Sequence, residues 1–323
     1  MSDILFIKTS SLGDVIHQMP ALTEARQRLP QARFSWVVEE AFTPLVRLHP
    51  AVSEVIPVAT RRWRQALFSP VNWRDMARFT SVLRTSRYDE IIDTQGLFRS
   101  ALLARVARGR RHGYDSGSVR ERAAVALYDV RHRIPRDLHA IERNRRLTGF
   151  ALGYQPEGGA DFGLARSRLA PVSDGYGILL HATARAEKEW PEDHWISLGK
   201  TLGSRTGSLV LPWGSEIERT RSVRIAAALG NARVPERQSL DRVAALIAGA
   251  SFVIGVDTGL LHLAAALGVP LVAIFVGSEP GLTGPIGAGP MTVVGGKGLL
   301  PSVEEVIDAL RASLDRSAPR FQA

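Results

Sequence analysis

Cysteine is absent from this chain of 323 residues, and lysine is scarce, since only four of its 41 basic residues are not arginine. Without cysteine the chain has no thiol nucleophile, no thiolate metal site and no disulfide. The longest apolar stretch, 260–277, is interrupted by His262, Gly268 and Pro270, so it predicts a helix, a turn and a strand rather than a membrane span. The N-terminus lacks a signal-peptide pattern, and we expect a cytoplasmic protein.

Several nucleotide and metal motifs are also missing. No G-x-G-x-x-G follows the first apolar segment, which disfavours a dinucleotide-dependent dehydrogenase. Gly199-Lys200-Thr201 is not a P-loop, because His194 stands where the upstream glycine is needed. D-x-D, H-E-x-x-H and G-x-S-x-G do not occur either, so the sequence predicts no metal site and no cofactor.

The net positive charge of the chain lies entirely in its first half. Residues 1–160 hold 25 Lys and Arg against 16 Asp and Glu, whereas residues 161–323 hold 16 of each. We therefore expect the first half to meet an anionic partner, which could be nucleic acid, a membrane surface, or a phosphorylated or acidic substrate.

Short apolar segments alternate with helical patterns in both halves, which is typical of parallel sheets with helices on both faces. A Pro- and Gly-rich segment, 155–160, is the candidate linker. The predicted fold class is α/β with two doubly wound domains, whose ligands bind beyond the carboxyl ends of the strands. The predicted strands are 4–7, 34–38, 52–58, 90–93, 176–180, 208–211, 252–256 and 271–275, and a final helix is predicted at 303–314.

Asp14 follows the first predicted strand and opens a helical pattern, after Gly13 and two hydroxyl residues. An aspartate in this position is either a helix N-cap or a carboxylate presented to a ligand as a general base. The position alone leaves both interpretations open.

Three strand exits in the second half carry groups suited to a nucleotide diphosphate. Asp257-Thr258-Gly259 begins a helix whose free N–H groups suit a phosphate, although Asp257 could simply be an N-cap. Lys188 could neutralise a diphosphate or be solvated, and Glu216 could accept ribose hydroxyls or only favour its helix dipole. Together they favour nucleotide binding.

Arginine clusters mark the first half. Each is an ordinary solvated face when taken singly, but together they could hold carboxylates and phosphates with bidentate hydrogen bonds. The clusters are Arg61-Arg62-Trp63-Arg64, Arg108 with Arg110-Arg111, Arg120 with Arg122, and Arg143 with Arg145-Arg146.

Short sequence segments, in the same order and at similar spacing over nearly the whole chain, resemble the lipopolysaccharide heptosyltransferases of glycosyltransferase family 9. The opening Lys-Thr-Ser-Ser-Leu-Gly-Asp is more similar to the type I members than to types II or III. The segments are 8–17, 36–40, 61–64, 93–97, 181–195, 211–216 and 256–259.

This resemblance implies a GT-B fold, in which two Rossmann-like domains face a central cleft. It implies an acceptor-binding domain at 1–160 and an ADP-heptose-binding domain at 161–302, and it allows the C-terminal segment 303–323 to pack back on the first domain. The implied reaction is inverting, metal-independent transfer of L-glycero-D-manno-heptose from ADP-heptose to Kdo of Kdo-lipid A. A monomer, peripheral on the cytoplasmic face of the inner membrane and without a nucleic-acid partner, is expected.

The resemblance also implies residue roles. Asp14 falls on the proposed general base, and Lys188 on the lysine that compensates charge on the departing ADP. Implied donor contacts are Thr183, Lys188, Glu216, Asp257, Thr258, Gly259 and His262, and implied acceptor contacts are Ser10, Arg61, Arg64, Arg120 and Arg143.

Departures from the family pattern at Ala184, Gln238, Leu261 and Glu279 leave the fine donor specificity open. Two other functions remain open as well. One is a GT-B transferase with a different nucleotide sugar, and the other is a non-catalytic binder of nucleic acid or anionic membranes, for which the sequence offers charge but no recognition motif.

Overall fold

A computed structural model describes residues 2–66, 69–169, 175–183, 185–203 and 207–316. The chain divides into two compact units, residues 1–163 and 164–323, close to the boundary predicted at 160. Ala184 and the tail 317–323 lie outside the described residues.

The first unit contains a six-stranded parallel sheet in the order β3-β2-β1-β4-β5-β6. Its strands are β1 (Asp3–Ile7), β2 (Arg33–Glu39), β3 (Glu54–Val58), β4 (Arg87–Asp93), β5 (Arg108–Tyr114) and β6 (Val130–His132). Its helices are α1 (Leu12–Arg28), α2 (Thr43–Val46), α3 (Thr60–Gln65), α4 (Pro70–Thr85), α5 (Phe98–Val106) and α6 (Ala140–Leu152).

The second unit repeats this plan with a parallel sheet in the order β12-β11-β10-β7-β8-β9. Its strands are β7 (Tyr176–Leu180), β8 (Ser208–Val210), β9 (Ala232–Arg233), β10 (Phe252–Val256), β11 (Leu271–Phe275) and β12 (Met291–Gly295). Its helices are α7 (Arg166–Leu169), α8 (Glu192–Gly203), α9 (Glu216–Ala227), α10 (Leu240–Gly249), α11 (Gly259–Ala266) and α12 (Val303–Asp315).

Helices cover the first sheet on both faces. On one face α4 and α5 bury Phe79, Leu83 and Ala104 against Leu5 and Ile91 of the central strands. On the other face, α1 and α6 pack on each other. Because β1 and β2 are buried along nearly their whole length, the centre of the sheet is the buried middle layer of the unit.

The second unit has a core of the same kind, which includes the last helix. Trp190 and Trp195 are fully buried with their rings perpendicular at 5.0 Å, and Trp190 Nε1 donates to the Pro301 carbonyl at 3.0 Å. Val306 and Leu310 of α12 join this core, and α12 packs on β11 and β12 of the second sheet. From the sequence, the C-terminal segment 303–323, which contains α12, was also allowed to pack back on the first domain.

The strand that sequence reasoning missed most clearly is β5, whose sequence Arg-Gly-Arg-Arg-His-Gly-Tyr lacks aliphatic residues. Ion pairs to flanking segments support it, between Arg110 and Glu90 of β4 and between Arg111 and Asp129 just before β6. Of the predicted strands, 176–180, 252–256 and 271–275 have the observed ends.

Within the described part of the chain, no helix combines the length and the apolarity that crossing a membrane requires.

Candidate functional site

Asp14 lies at the carboxyl edge of the first sheet, in the first turn of α1. Ser11 is the N-cap of this helix and Asp14 is its third residue, so of the two interpretations left open for Asp14 the N-cap position is not the one observed. The Ser11 N–H and hydroxyl donate to Asp14 Oδ2 at 2.9 and 3.2 Å. These bonds satisfy the helix end and fix the carboxylate, as in a capping box.

Two cations stand beside the Asp14 carboxylate. Lys8 Nζ is 3.8 Å from Oδ1, and a guanidinium nitrogen of Arg120 is 3.9 Å from Oδ2. Burial opposes the charged carboxylate, but Lys8, Arg120 and the Ser11 N–H outweigh burial and hold the pKa of Asp14 below its ordinary value. The side chain keeps 23% of its surface exposed, so an ionised carboxylate remains open to a ligand.

Lys8 itself is buried where β1 ends, and its ammonium donates to the Thr94 carbonyl at 3.0 Å. Burial lowers the pKa of Lys8, while Asp14 opposes this shift. No role was predicted for Lys8 from the sequence. A lysine directly after an apolar strand, facing a buried carboxylate-rich edge, is the signal that could have identified it.

A buried network after β4 holds this loop. Gln95 Oε1 accepts from the Thr9 N–H at 3.0 Å, and Gln95 Nε2 donates to the Ser10 carbonyl at 2.6 Å. Asp93 in turn accepts from the Gln95 N–H at 2.8 Å and from the Tyr128 hydroxyl at 2.7 Å. The end of β4 therefore positions the loop that carries Asp14, because β1 and β4 are neighbours in the sheet.

Of the predicted acceptor contacts, Arg120 lies beside Asp14, and Ser10 belongs to the loop that precedes Asp14. Arg143 is tied to the same region, since it donates to the Ser118 carbonyl at 2.5 Å and lies 4.7 Å from the Tyr114 ring centroid. Arg61 and Arg64 are exposed on α3, after the end of β3. Among the contacts of residues 2–66 and 69–163, neither of these two arginines touches Asp14.

In the second unit, Asp257 follows β10 and forms the centre of a second polar cluster. Lys188 Nζ lies 2.5 Å from Asp257 Oδ2, and the Ser278 hydroxyl donates to the same oxygen at 2.6 Å. Burial opposes ionisation, but these two bonds prevail and hold the pKa of Asp257 below its ordinary value. Ser278 was not predicted, because it comes from a loop after the neighbouring strand β11.

Next to this pair is the N-terminus of α11. Thr258 is the N-cap, so the alternative interpretation of Asp257 as the N-cap is not observed. Thr183, after β7, donates to the Asp257 carbonyl at 2.9 Å, and His262 lies buried in α11 near enough to lower the Asp257 pKa. Helix amides, an ammonium and hydroxyls thus converge where β7 and β10 end, which is a favourable environment for phosphate oxygens.

Glu216 is the first residue of α9, after β8, and its side chain is 75% exposed. It pairs with Arg219 at 3.7 Å within the helix. The end of β8, the neighbour of β7 in the sheet, is therefore followed by a solvent-exposed carboxylate. Among the described residues, no group of three His, Asp or Glu side chains is placed to hold a metal ion.

Comparisons with known proteins identify the family of this chain. The family model described as glycosyltransferase family 9 (heptosyltransferase) matches residues 76–307. Lipopolysaccharide heptosyltransferase 1 of Pseudomonas aeruginosa PAO1 is 46% identical over 288 residues, which cover 88% of this chain and 81% of that protein.

Two solved structures of the E. coli heptosyltransferase WaaC are similar over almost the whole chain. The structure with ADP has a TM-score of 0.91 at 40% identity and covers 96% of this chain and 99% of its own. The structure with ADP-2-deoxy-2-fluoro heptose has a TM-score of 0.86 at 38% identity and covers 98% and 100%. The GT-B fold and the family resemblance are confirmed, and the chain is a heptosyltransferase that belongs to glycosyltransferase family 9.

Proposed function

We propose that this chain transfers L-glycero-D-manno-heptose from ADP-heptose to Kdo of Kdo-lipid A, with inversion, in assembly of the lipopolysaccharide core. The observation that carries the proposal is the ionised, partly exposed Asp14 carboxylate, held at the end of β1 by Ser11, Lys8 and Arg120. The similarity to heptosyltransferase 1 and to WaaC with ADP and an ADP-heptose analogue supports the choice of donor.

The donor belongs to the second unit. Its diphosphate would accept hydrogen bonds from the first amides of α11, including that of Gly259, and from the hydroxyls of Thr183 and Thr258. Lys188, now paired with Asp257 at 2.5 Å, would turn to the diphosphate as negative charge develops on ADP. Glu216 is suited to the ribose hydroxyls, and Asp257 and His262 to the heptose.

The acceptor belongs to the first unit, where the excess positive charge lies. Kdo carboxylates and lipid A phosphates match the guanidinium groups of Arg120 and Arg143 and the exposed Arg61 and Arg64. Ser10 would complete the sugar contacts beside Asp14. A protein with such an acceptor would work as a monomer at the cytoplasmic face of the inner membrane.

The transfer is one in-line displacement. The acceptor hydroxyl oxygen attacks the anomeric carbon of heptose, its proton passes to an Asp14 oxygen, and the bond from the anomeric carbon to the β-phosphate oxygen breaks. ADP leaves with the electron pair, and Lys188 balances its charge. Because one displacement inverts the centre, a single base suffices and no second carboxylate nucleophile is needed.

The test is mass spectrometry of heptose-free Kdo-lipid A after incubation with ADP-heptose, the protein and a chelator. We expect the mass of one heptose to be added, which would establish donor, acceptor and metal independence together. Binding of ADP without transfer would instead indicate a transferase for another nucleotide sugar, and competition between ADP and UDP would identify the nucleotide. Absence of both transfer and ADP binding would contradict the proposal.

A further inference from the structure

Exposed large apolar side chains are unevenly distributed over the first unit. Within its described residues, all of them lie on α4 and α5, whereas α1 and α6 on the opposite face have none. They are Val71, Trp73, Met76, Val82, Phe98 and Leu102. A soluble surface that gathers its apolar groups on one layer marks an interaction site.

The two helices form one continuous layer. Phe79 and Leu83 of α4 and Ala104 of α5 pack into the same core cluster on one face of the sheet, and the two helices contact each other. Their opposite sides face solvent, where Trp73 is 60% exposed and Phe98 is 43% exposed. We call this outward side the α4–α5 surface.

The apolar residues are concentrated at the end of the layer that lies nearest Asp14. Because α4 and α5 follow the parallel strands β3 and β4, their first turns lie at the carboxyl edge of the sheet, as Asp14 does. Trp73 and Phe98 belong to these first turns. Arg99, in the first turn of α5, contacts the Ser10 hydroxyl at 3.4 Å and links the surface to the loop before Asp14.

Basic residues accompany the apolar ones. The two helices carry Arg74, Arg78, Arg84, Arg99 and Arg105 and a single acid, Asp75. Asp75 is paired with Arg62 at 2.6 Å, so it does not offset the arginines of the helices. The arginines outnumber the acids near the surface, which include Glu121, whose carboxylate accepts from the Phe98 N–H at 2.7 Å. Exposed aromatic and aliphatic groups among an excess of cations are the composition that binds the headgroup region of an anionic bilayer.

We propose that the α4–α5 surface docks on an anionic lipid bilayer and thereby places Asp14 at the height of a lipid-linked acceptor. An anionic bilayer is the expected partner because the surface is both cationic and apolar. The surface also ends at the carboxyl edge of the first sheet, where the acceptor sugar would react at Asp14. This inference rests on the proposed function for its purpose, but vesicle binding tests it separately.

The experiment is flotation of the purified full chain with vesicles of phosphatidylcholine containing about one-third phosphatidylglycerol. The triple variant Trp73→Gln, Phe98→Gln and Leu102→Gln should lower the partition coefficient at least about tenfold, because it removes the groups that enter the interface. The matched control carries Val223→Gln, Leu299→Gln and Leu300→Gln, which remove exposed apolar groups of the second unit, and it should bind like the unmodified chain.

A second variant tests the charges. Arg74→Gln with Arg78→Gln and Arg105→Gln should reduce binding to the anionic vesicles and leave the weak binding to pure phosphatidylcholine unchanged. If the apolar variant binds anionic vesicles as tightly as the unmodified chain, the proposal is wrong. The proposal is also wrong if the unmodified chain does not bind the anionic vesicles. In that case a dimer seen by sedimentation and abolished in the apolar variant would show that the surface joins two copies.

Heptose transfer separates this inference from the proposed function. On a water-soluble Kdo acceptor without lipid, the apolar variant should keep the unmodified rate, and it should lose most of the rate on acceptor embedded in vesicles. Equal losses on both acceptors would overturn the docking role. If the unmodified chain binds vesicles but transfers heptose to neither acceptor, the docking surface stands and the proposed function fails.

Discussion

The two units have the same strand order but use equivalent positions for different purposes. Counted from the first strand of each unit, both sheets run 3-2-1-4-5-6, so the order reverses between the first and fourth strands. Asp93 is the last residue of the first unit's fourth strand, β4, and Asp257 directly follows the second unit's fourth strand, β10. Asp93 is fully buried and burial raises its pKa, whereas Asp257 is partly exposed and pairs with Lys188.

This difference shows that the point where the strand order reverses determines where a site forms on the sheet, but not which residue acts there. In the second unit Asp257 and Thr258, after the fourth strand, join Thr183 and Lys188, after the first strand, in the cluster that would hold the donor. In the first unit Asp93, the last residue of the fourth strand, is enclosed by hydrogen-bond donors and only positions the loop before Asp14. The exposed carboxylate, Asp14, comes instead after the first strand.

The largest expected effect comes from Asp14→Asn. The amide cannot take the acceptor proton, so we expect the transfer rate to fall at least about 100-fold while ADP affinity stays unchanged. Initial rates and ADP titration calorimetry measure the two quantities, and Asp308→Asn, an exposed position on α12, is the control. A variant with normal turnover would remove Asp14 from its proposed role.

Lys188→Ala should have the next largest effect. Because the ammonium is expected to balance charge on ADP in both the bound and the leaving state, donor affinity and turnover should each fall about tenfold to 100-fold. Lys200→Ala, at the exposed end of α8, controls for loss of a positive charge. Unchanged donor affinity together with a normal rate would show that Lys188 is only the partner of Asp257.

Asp93→Asn tests the structural member of the aspartate pair. Each carboxylate oxygen of Asp93 accepts two hydrogen bonds, so an amide NH₂ must face two donors in either orientation. We expect the free energy of unfolding to fall by about 1–3 kcal/mol, measured by urea denaturation. Asp257→Asn should instead weaken ADP binding and leave stability nearly unchanged.

The pH dependence of stability gives the same substitution a second readout. Because burial raises the pKa of Asp93, the folded chain holds this proton to a higher pH than the unfolded chain does. The contribution of Asp93 to stability is therefore present at low pH and declines as the pH rises from the ordinary pKa through the raised one. The Asn variant should lack this decline, and an unaltered slope would contradict the assignment.

The smallest expected effect is a shift in the acid limb of the pH profile of kcat/KM, caused by Lys8→Met. Lys8 contributes most to holding the pKa of Asp14 low, so Lys8→Met should raise that pKa and move the acid limb of the kcat/KM profile to higher pH. In the unmodified chain the limb should lie below the ordinary range of a carboxyl. If the limb does not move, a group other than Asp14 controls it.

The sequence predicted the architecture where strands are buried on both faces. Tyr176–Leu180, Phe252–Val256 and Leu271–Phe275 are continuous apolar runs, and such runs identify central strands of a parallel sheet. The edge strand β12 is half exposed, and β5 is rich in arginine and depends on ion pairs to residues far away in the sequence. Local periodicity contains no signal for such strands.

The candidate site was predictable as a set of strand exits but not as a set of contacts. Asp257 and Lys188 were both identified, but they are 69 residues apart in the sequence. Their ion pair depends on the conformation of the loop after β7, which the sequence does not predict. Lys8 and Ser278 went unassigned for the same reason. Their partners come from neighbouring strands, and sheet order rather than sequence order brings them together.

The way each core closes within one continuous stretch of chain has a consequence for biosynthesis. The cluster around Leu5, Ile91 and Ala104 is complete by Ala107, and the first compact unit ends at residue 163. At roughly 5–20 residues per second, a ribosome needs on the order of ten seconds or more for the remainder. The first half can therefore acquire its sheet, and the loop that carries Asp14, before the second half has left the exit tunnel.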